Sequence, residues 1–425
     1  MCHAMVTRID FAMDSLNAAN SQFAFDLFMK LYEEHKTENI FLSPLSVSVA
    51  LAMVYLGAKN NTAVEMAKVL HFHTVHDVHA KFKELMDNVN KPDAPYTLRV
   101  ANRIYGEETY NILREFQSSS LKYYGAELAP VGFRRQPEAA RNEINTFVEN
   151  KTEDKIQKLI PADAITPQTI LILVNAIYFK GKWESKFNEK DTYEALFKLN
   201  KKETKSINMM TQKASFKFRH IEELKASVLE LPYEENELSM VILLPDGIND
   251  STTGLEQLEQ ALANNSLLKW INLENMRRRK VEVHLPRFKL EDQFQLEEIL
   301  PAMGMRDAFD SLGADFTGMS EKRDLWLSKV IHKSFVEVNE EGTEAAAATA
   351  AIMTRTLAVN ITPTFVADHP FLFFIKHNKT QSILFMGQYT SPVDEVVESG
   401  DGGNMTQQVQ SCFTQQYQKV QRVNF

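Results

Sequence analysis

Several apolar runs in this chain lack the alternation of polar and apolar residues that marks a half-buried strand. They are among the predicted strands, residues 169–179, 227–231, 238–244, 281–285 and 371–375, most of which are rich in β-branched or aromatic residues. Strands without alternation need cover on both faces. Helical spacing that can supply this cover occurs at residues 19–35, 46–56 and 142–160. The sequence therefore predicts an α+β fold built around large sheets.

The three helical stretches carry their own local predictions. Asn20 and Ser21 are the expected N-caps of the first helix, and Ser43 followed by Pro44 is expected to open the second. The predicted inner face of the third consists of Ile144, Phe147, Ile156 and Leu159.

Composition changes only near the two ends of the 425-residue chain. No Pro/Gly/Ser-rich linker divides the interior, so residues 13–392 are predicted to form one large domain. Residues 1–12 are interpreted as an appended segment. Residues 393–425, which include SGDGGN and have no sustained periodicity, are predicted to be a flexible tail.

Charge and cysteine content exclude several classes of function. The net charge of −9 argues against non-specific nucleic-acid binding, which needs a basic surface. The only cysteines, Cys2 and Cys412, leave the stretch between them without a disulfide, a Cys nucleophile or a thiolate metal cage. The longest apolar run, residues 49–56, is far short of the ~20 residues that cross a bilayer. A soluble cytoplasmic protein with no nucleic-acid or membrane partner is expected.

Known catalytic motifs are absent: the sequence contains no G-x-S-x-G, H-E-x-x-H, Walker, G-x-G-x-x-G or C-x-x-C pattern. Four histidines, His71, His73, His76 and His79, suggest either a metal site or a polar turn, and the turn is favoured because no cysteine lies near. A basic run at residues 277–280 is interpreted as a solvated loop end rather than a polyanion site. No enzyme activity, metal or cofactor is predicted.

The segment at residues 340–362, EEGTEAAAATAAIMTRTLAVNIT, is the most unusual part of the chain. Its alanines and the capping residue Thr343 favour a helix, yet a strand-like alternation runs directly into it. If it pairs as a strand, Thr343, Ala345, Ala347 and Thr349 face one side, and all four side chains are small enough to enter a packed core. Gly342 provides a permissive hinge. Helix and strand remain equal alternatives on composition alone.

Seven stretches of the sequence resemble the serpin family and decide between these alternatives. They are NAANSQFAFDLF (17–28), NIFLSPLSVSVALAMVYLGAKNNTAVEM (39–66), LVNAIYFKGKWESKF (173–187), LSMVILLPD (238–246), LPRFKLE (285–291), HKSFVEVNEEGTEAAAATA (332–350) and ADHPFLFFI (367–375). The resemblance covers nearly all of residues 14–392. Within the family, the sequence resembles the intracellular ovalbumin-type branch. It implies three β-sheets, about nine helices and an exposed reactive-centre loop.

The resemblance also implies a mechanism, suicide-substrate trapping of a serine protease. The protease cleaves the loop and forms an acyl-enzyme, and the freed hinge inserts into the central sheet before hydrolysis. The implied hinge residues are Glu340, Glu341, Gly342, Thr343, Glu344, Ala345, Ala346, Ala347, Ala348 and Thr349. Ser46, Asn175 and His332 match the polar cluster beneath the sheet centre, called the shutter. Trp183 and Glu340 match the top of the sheet, called the breach, where Arg287 is the expected partner of Glu340.

The position of the cleaved bond is less constrained than the hinge. A family count of about seventeen residues from Glu340 ends at Thr356, which places cleavage at Thr356–Leu357 and favours an elastase-like protease. Arg355 would instead direct a trypsin-like protease to Arg355–Thr356, and Leu357 suits a chymotrypsin-like pocket. The resemblance implies a monomeric, cytoplasmic inhibitor that is also released to the extracellular space. The alternatives are a non-inhibitory serpin with a chaperone, carrier or storage role, and a scaffold that binds extended peptides.

Overall fold

The computed structural model describes residues 2–264, 267–273, 276–342 and 362–393, with side chains from residue 15 onward. The predicted hinge residues 343–349 and the candidate cleavage residues Arg355, Thr356 and Leu357 lie outside the described residues. All the helices and strands belong to one compact unit, Met1–Pro392. None of the helices in these ranges combines the length and apolar character needed to span a membrane.

The described residues contain nine α-helices and fourteen strands. The helices are α1 (Cys2–Glu34), α2 (Pro44–Tyr55), α3 (Asn60–Val69), α4 (Val78–Val89), α5 (Arg114–Tyr124), α6 (Pro137–Lys151), α7 (Glu256–Ala263), α8 (Leu268–Ile271) and α9 (Leu296–Met303). The strands are β1 (Ile40–Leu42), β2 (Tyr96–Glu107), β3 (Ala129–Val131), β4 (Leu171–Gly181), β5 (Tyr193–Lys198), β6 (Thr204–Ile221), β7 (Ala226–Pro232), β8 (Leu238–Pro245), β9 (Arg279–Pro286), β10 (Phe288–Gln295), β11 (Leu327–Val338), β12 (Thr364–Val366), β13 (Phe371–His377) and β14 (Ser382–Tyr389).

The strands form three sheets, two of which share one long strand. The central sheet has the order β10-β11-β4-β2-β3. A second sheet runs β1-β14-β13-β8-β7-β6, and a third consists of β5, β6, β9 and β12. Strand β6 belongs to both because residues 209–216 pair with β9 while residues 217–221 pair with β7. The α+β class and the three sheets are thus confirmed.

Strands β11 and β4, which are neighbours in the central sheet, are parallel to each other but antiparallel to the strands on their outer sides. Strands β4 and β11 pair in parallel from Leu171 and Leu327 to Tyr178 and Phe335, whereas β2 and β10 run antiparallel to them. We call the β4–β11 junction the seam. An additional strand placed in the seam could be antiparallel to both neighbours, which is the more stable pairing.

Strand β4 shows why the predicted strands lack polar alternation. Ten of its eleven residues are buried, because different cores cover its two faces. Leu173 and Ile177 pack into the main hydrophobic core, whereas Val174 and Tyr178 pack into a smaller core with α6. The prediction of strands covered on both faces is confirmed for this strand.

The helix boundaries agree with the sequence predictions in one of three cases. Helix α2 has Ser43 as its N-cap, where the Ser43 hydroxyl accepts a hydrogen bond from the Ser46 N–H (3.3 Å). The capping prediction for Asn20 and Ser21 is wrong because α1 begins at Cys2 and both residues lie inside it. Asn20 is buried and accepts a hydrogen bond from the Ser48 hydroxyl (2.9 Å).

The third helix is shorter than predicted and α6 ends at Lys151. Positive φ angles at Glu153, Asp154 and Lys158 break the helical path. The chain then folds back, and the Asn145 side chain bonds both the N–H (2.8 Å) and the C=O (3.0 Å) of Ile160. The apolar spacing of residues 156–160 therefore reflects burial of a non-helical segment and not a continuing helix.

Candidate functional site

The shutter residues meet in a buried polar network beside the seam. Asn175 of β4 and His332 of β11 are directly paired across the seam. The Asn175 amide donates to the hydroxyl (2.5 Å) and the C=O (3.3 Å) of Ser46 and to the side-chain oxygen of Asn102. The structure therefore brings together all three predicted shutter residues, and helix α2 supplies one of them.

The hydrogen bonds of His332 determine which of its ring nitrogens carries the proton. The Ser43 N–H donates to Nε2 of His332 (3.1 Å), so Nε2 is an acceptor. Nδ1 lies against the side-chain oxygen of Asn175 and is therefore the donor. Complete burial lowers the pKa of His332 to about 3, so the ring is neutral at physiological pH.

The breach is held by aromatic stacking and by two bonds from Trp183 to the chain that follows β11. The indole ring stacks on Tyr233 with 4.5 Å between centroids and 15° between planes. Its Nε1–H donates to the C=O of Asn339 (3.0 Å), and the backbone N–H of Trp183 donates to the C=O of Glu341 (2.8 Å). Trp183 thus joins the end of β4 to the start of the hinge.

Glu340 is a buried carboxylate with two donors. Arg287 forms an ion pair with it, and the Thr192 hydroxyl donates to the same oxygen (2.6 Å). The Glu340 side chain is only 4% exposed, whereas that of Arg287 is 37% exposed. Burial alone would raise the pKa of Glu340, but the hydrogen bonds from Arg287 and Thr192 outweigh it and hold the pKa below its usual value. The expected Arg287–Glu340 contact is present in the structure.

The chain turns back after β11 and brings Gly342 between the ends of the two seam strands. Gly342 forms antiparallel bridges with Asn339 on one side and Lys182 on the other. Its φ of +133° is a conformation that favours glycine, and a Cβ would contact the C=O of Gly181 and lie 2.7 Å from the Trp183 N atom. Gly342 therefore occupies the position of the first residue of a strand antiparallel to both β4 and β11.

Comparison with known proteins agrees with this geometry. The family described as Serpin (serine protease inhibitor) matches residues 18–392. The chain belongs to the serpin family. It is 52% identical to the leukocyte elastase inhibitor of Equus caballus and 51% identical to that of Homo sapiens, each over 380 residues that cover 89% of this chain and all of the relative. A crystal structure of maspin matches with a TM-score of 0.83 at 37% identity, over 90% of this chain and 100% of that one.

Family membership fixes the type of activity. This serpin is a serine protease inhibitor and not an enzyme, and it acts by the loop insertion of its family. The seam is a place where a strand could be added to the central sheet, and Gly342 lies bridged to Lys182 and Asn339 at its end.

The four histidines and the basic run, to which the sequence analysis assigned no function, make ordinary structural contacts in this serpin. His71 bonds Asp26 (2.7 Å), and His79, whose pKa burial lowers to about 4, bonds the Tyr124 hydroxyl (2.5 Å). Within the described ranges no three His, Cys, Asp or Glu side chains are grouped as metal ligands. In the basic run, Arg278 pairs with Glu184.

Three residues of the serpin site, Asn102, Thr192 and Tyr233, were not identified from the sequence. Asn102 was detectable, because it is the polar member of an otherwise apolar face of β2 formed with Leu98 and Ile104. Thr192 and Tyr233 had no such signal. Both reach the breach from segments that are distant in the chain, so only the fold reveals them.

A double-mutant cycle tests the Arg287–Glu340 pair. Arg287→Gln should destabilise the protein more in the wild type than in a Glu340→Gln background, with a coupling energy of about 1–3 kcal/mol, because the pair is half-buried. Urea unfolding of the four variants measures this energy. The Arg99–Glu153 pair (2.7 Å) is the exposed control and should couple by only about 0.2–1 kcal/mol. Equal coupling in the two cycles would contradict the assigned role of burial.

A pH series tests the neutral state of His332. Its pKa is about 3 in the folded protein, against ~6.5 when unfolded, so the stability it provides is complete above pH ~6.5 and is lost as the pH falls towards 3. His332→Gln should remove this acid-dependent loss while costing about 1–3 kcal/mol at pH 7.5 through lost hydrogen bonds. Unfolding between pH 7.5 and 5 gives both values. The exposed control His73→Gln should keep the wild-type slope, and a wild-type slope in His332→Gln would refute the assignment.

Proposed function

We propose that this serpin presents the Thr356–Leu357 bond to an elastase-like serine protease. The observation that carries the proposal is the position of Gly342, which is bridged to both Lys182 and Asn339 at the ends of β4 and β11. The family resemblance implies a count of about seventeen residues from Glu340, which ends at Thr356 as the residue before the cleaved bond. The small side chain of Thr356 suits a narrow specificity pocket, and the relatives that bear the name leukocyte elastase inhibitor support the same class of target.

Cleavage would release a ribbon that can follow Gly342 into the seam. The inward-facing residues Thr343, Ala345, Ala347 and Thr349 are small, so they can enter between packed strands without large displacement of their neighbours. At ~3.3 Å per residue, insertion of about fifteen residues moves the attached protease by roughly 50 Å. Trapping succeeds when this movement is faster than hydrolysis of the acyl-enzyme.

The shutter and the breach are proposed to set how readily the seam opens. Insertion must separate β4 from β11, which breaks their parallel hydrogen bonds and the direct contact between Asn175 and His332. At the top of the sheet, it must rearrange the bonds from Trp183 to Asn339 and Glu341. We assign to Ser46, Asn175 and His332 the closure of the centre, and to Trp183, Arg287 and Glu340 the closure of the top.

A panel of an elastase, trypsin and chymotrypsin tests the proposed bond. We expect an SDS-resistant one-to-one complex with the elastase and a released C-terminal peptide that begins at Leu357. Arg355→Ala should leave this complex unchanged, because Arg355 would precede the bond only for a trypsin-like protease. A peptide that begins at Thr356, together with loss of trapping in Arg355→Ala, would overturn Thr356 in favour of Arg355.

The hinge itself is tested by Thr343→Arg. A charged side chain at the first inward-facing position must lose its hydration as the strand inserts, which slows insertion. The variant should therefore become a substrate that is cleaved at the same bond without forming an SDS-resistant complex. Thr343→Ser, which keeps a small side chain, should trap protease as the wild type does. Wild-type stoichiometry in Thr343→Arg would refute insertion through this residue.

A further inference from the structure

A cavity of about 590 Å³, open to solvent, lies away from the seam where three parts of the fold meet. Its walls are the turn between β5 and β6, the end of β8 with the residues that follow it, and β12. The volume is in the range of small-molecule sites. We propose that this cavity binds an amphipathic anion, an aliphatic chain that ends in a carboxylate.

The charge of the cavity favours an anion because its carboxylates already have partners. Asp368 bonds the Lys198 ammonium (2.8 Å) and Nδ1 of His369 (2.8 Å). Asp246 bonds Nε2 of His220 (2.8 Å). The two carboxylates that line the cavity are therefore already paired, and they would attract a further cation only weakly.

Two ammonium groups in the lining are left for a ligand. Lys201 bonds only a neutral acceptor, the C=O of Asn249 (3.1 Å), and Lys202 is exposed beside it in the β5–β6 turn. In the described part of the chain, neither lysine is within ion-pair distance of a carboxylate. A ligand carboxylate placed between them would gain two charge-assisted hydrogen bonds.

The floor of the cavity is apolar and selects an amphiphile over a small inorganic anion. Leu244, Pro245 and Phe365 form it and are themselves buried, while Ile248 is partly exposed and Val366 is 37% exposed. Covering Ile248 and Val366 with a hydrocarbon chain removes apolar surface from water, which contributes affinity that inorganic phosphate cannot supply. Lysines at the rim and an apolar floor together match a fatty-acid type of ligand.

The position of the cavity predicts a second effect of binding. Strand β12 contains three residues and its strand partner is β9, with which it pairs in parallel. A ligand that contacts both Val366 of β12 and the β5–β6 turn would hold this short strand in place. Because a ligand that binds only the folded state stabilises it, the melting temperature should rise with ligand concentration.

Calorimetric titration of the full chain with dodecanoate, below its critical micelle concentration, tests the site. We expect saturable one-to-one binding that weakens with salt, and a loss of about tenfold in affinity in Lys201→Gln/Lys202→Gln. The matched control Lys83→Gln/Lys122→Gln removes two ammonium groups from α4 and α5 and should bind as the wild type does. Dodecanol and acetate should each bind at least about tenfold more weakly than dodecanoate, because each lacks one half of the ligand.

A second variant localises the ligand without relying on the lysines. Val366→Glu places a carboxylate over the floor and should abolish binding by charge repulsion, whereas Val366→Gln should retain part of it. Equal affinity for dodecanoate in the cavity and control lysine variants, equal binding of dodecanol, or full competition by inorganic phosphate would each overturn the proposal. Protease trapping by Lys201→Gln/Lys202→Gln should equal that of the wild type, so failure here leaves the proposed inhibition standing.

Discussion

The parallel pairing of β4 and β11 is the constraint on which the rest of the structure depends. These strands have antiparallel neighbours on their outer sides, so the parallel junction between them is weaker per residue than the β2–β4 and β10–β11 junctions that flank it. Replacing one parallel junction with two antiparallel ones adds a full strand of backbone hydrogen bonds. Gly342 is placed where such a strand of the same chain would begin.

In the proposed mechanism, the side chains at the seam keep it closed until a ribbon is free to enter. A neutral His332 can donate to Asn175 and accept from Ser43 simultaneously, whereas a protonated ring could no longer accept from the Ser43 N–H. Burial lowers the pKa of His332, so Nε2 stays unprotonated and can accept the hydrogen bond from Ser43. The same polar groups would be costly to separate in a dry core, so in the proposed mechanism the network resists opening of the seam.

The sequence allowed prediction of the fold class and of the residues on the chain that form the seam. The apolar character of β4 indicated cover on both faces, and the resemblance placed Asn175 and His332 together. The sequence did not reveal where α6 ends. Its apolar spacing continues past Lys151, whereas backbone angles of the left-handed type end the helix there. Nor could it find Thr192, whose bond to Glu340 depends on a tertiary approach that leaves no periodic pattern.

In the proposed mechanism the chain is held short of insertion until cleavage, and the composition of the predicted hinge is compatible with this. The alanines of the predicted hinge favour a helix by propensity, so pairing as a strand is not the only conformation open to this sequence. Before cleavage both ends of the segment are held, one at Gly342 beside Trp183 and the other at β12 beside β9. A ribbon anchored at both ends cannot extend along the whole seam, because its far end would have to leave β12. In the proposed mechanism, cutting one bond removes that restraint, and the side chains of Thr343, Ala345, Ala347 and Thr349 are small enough for the seam to accommodate.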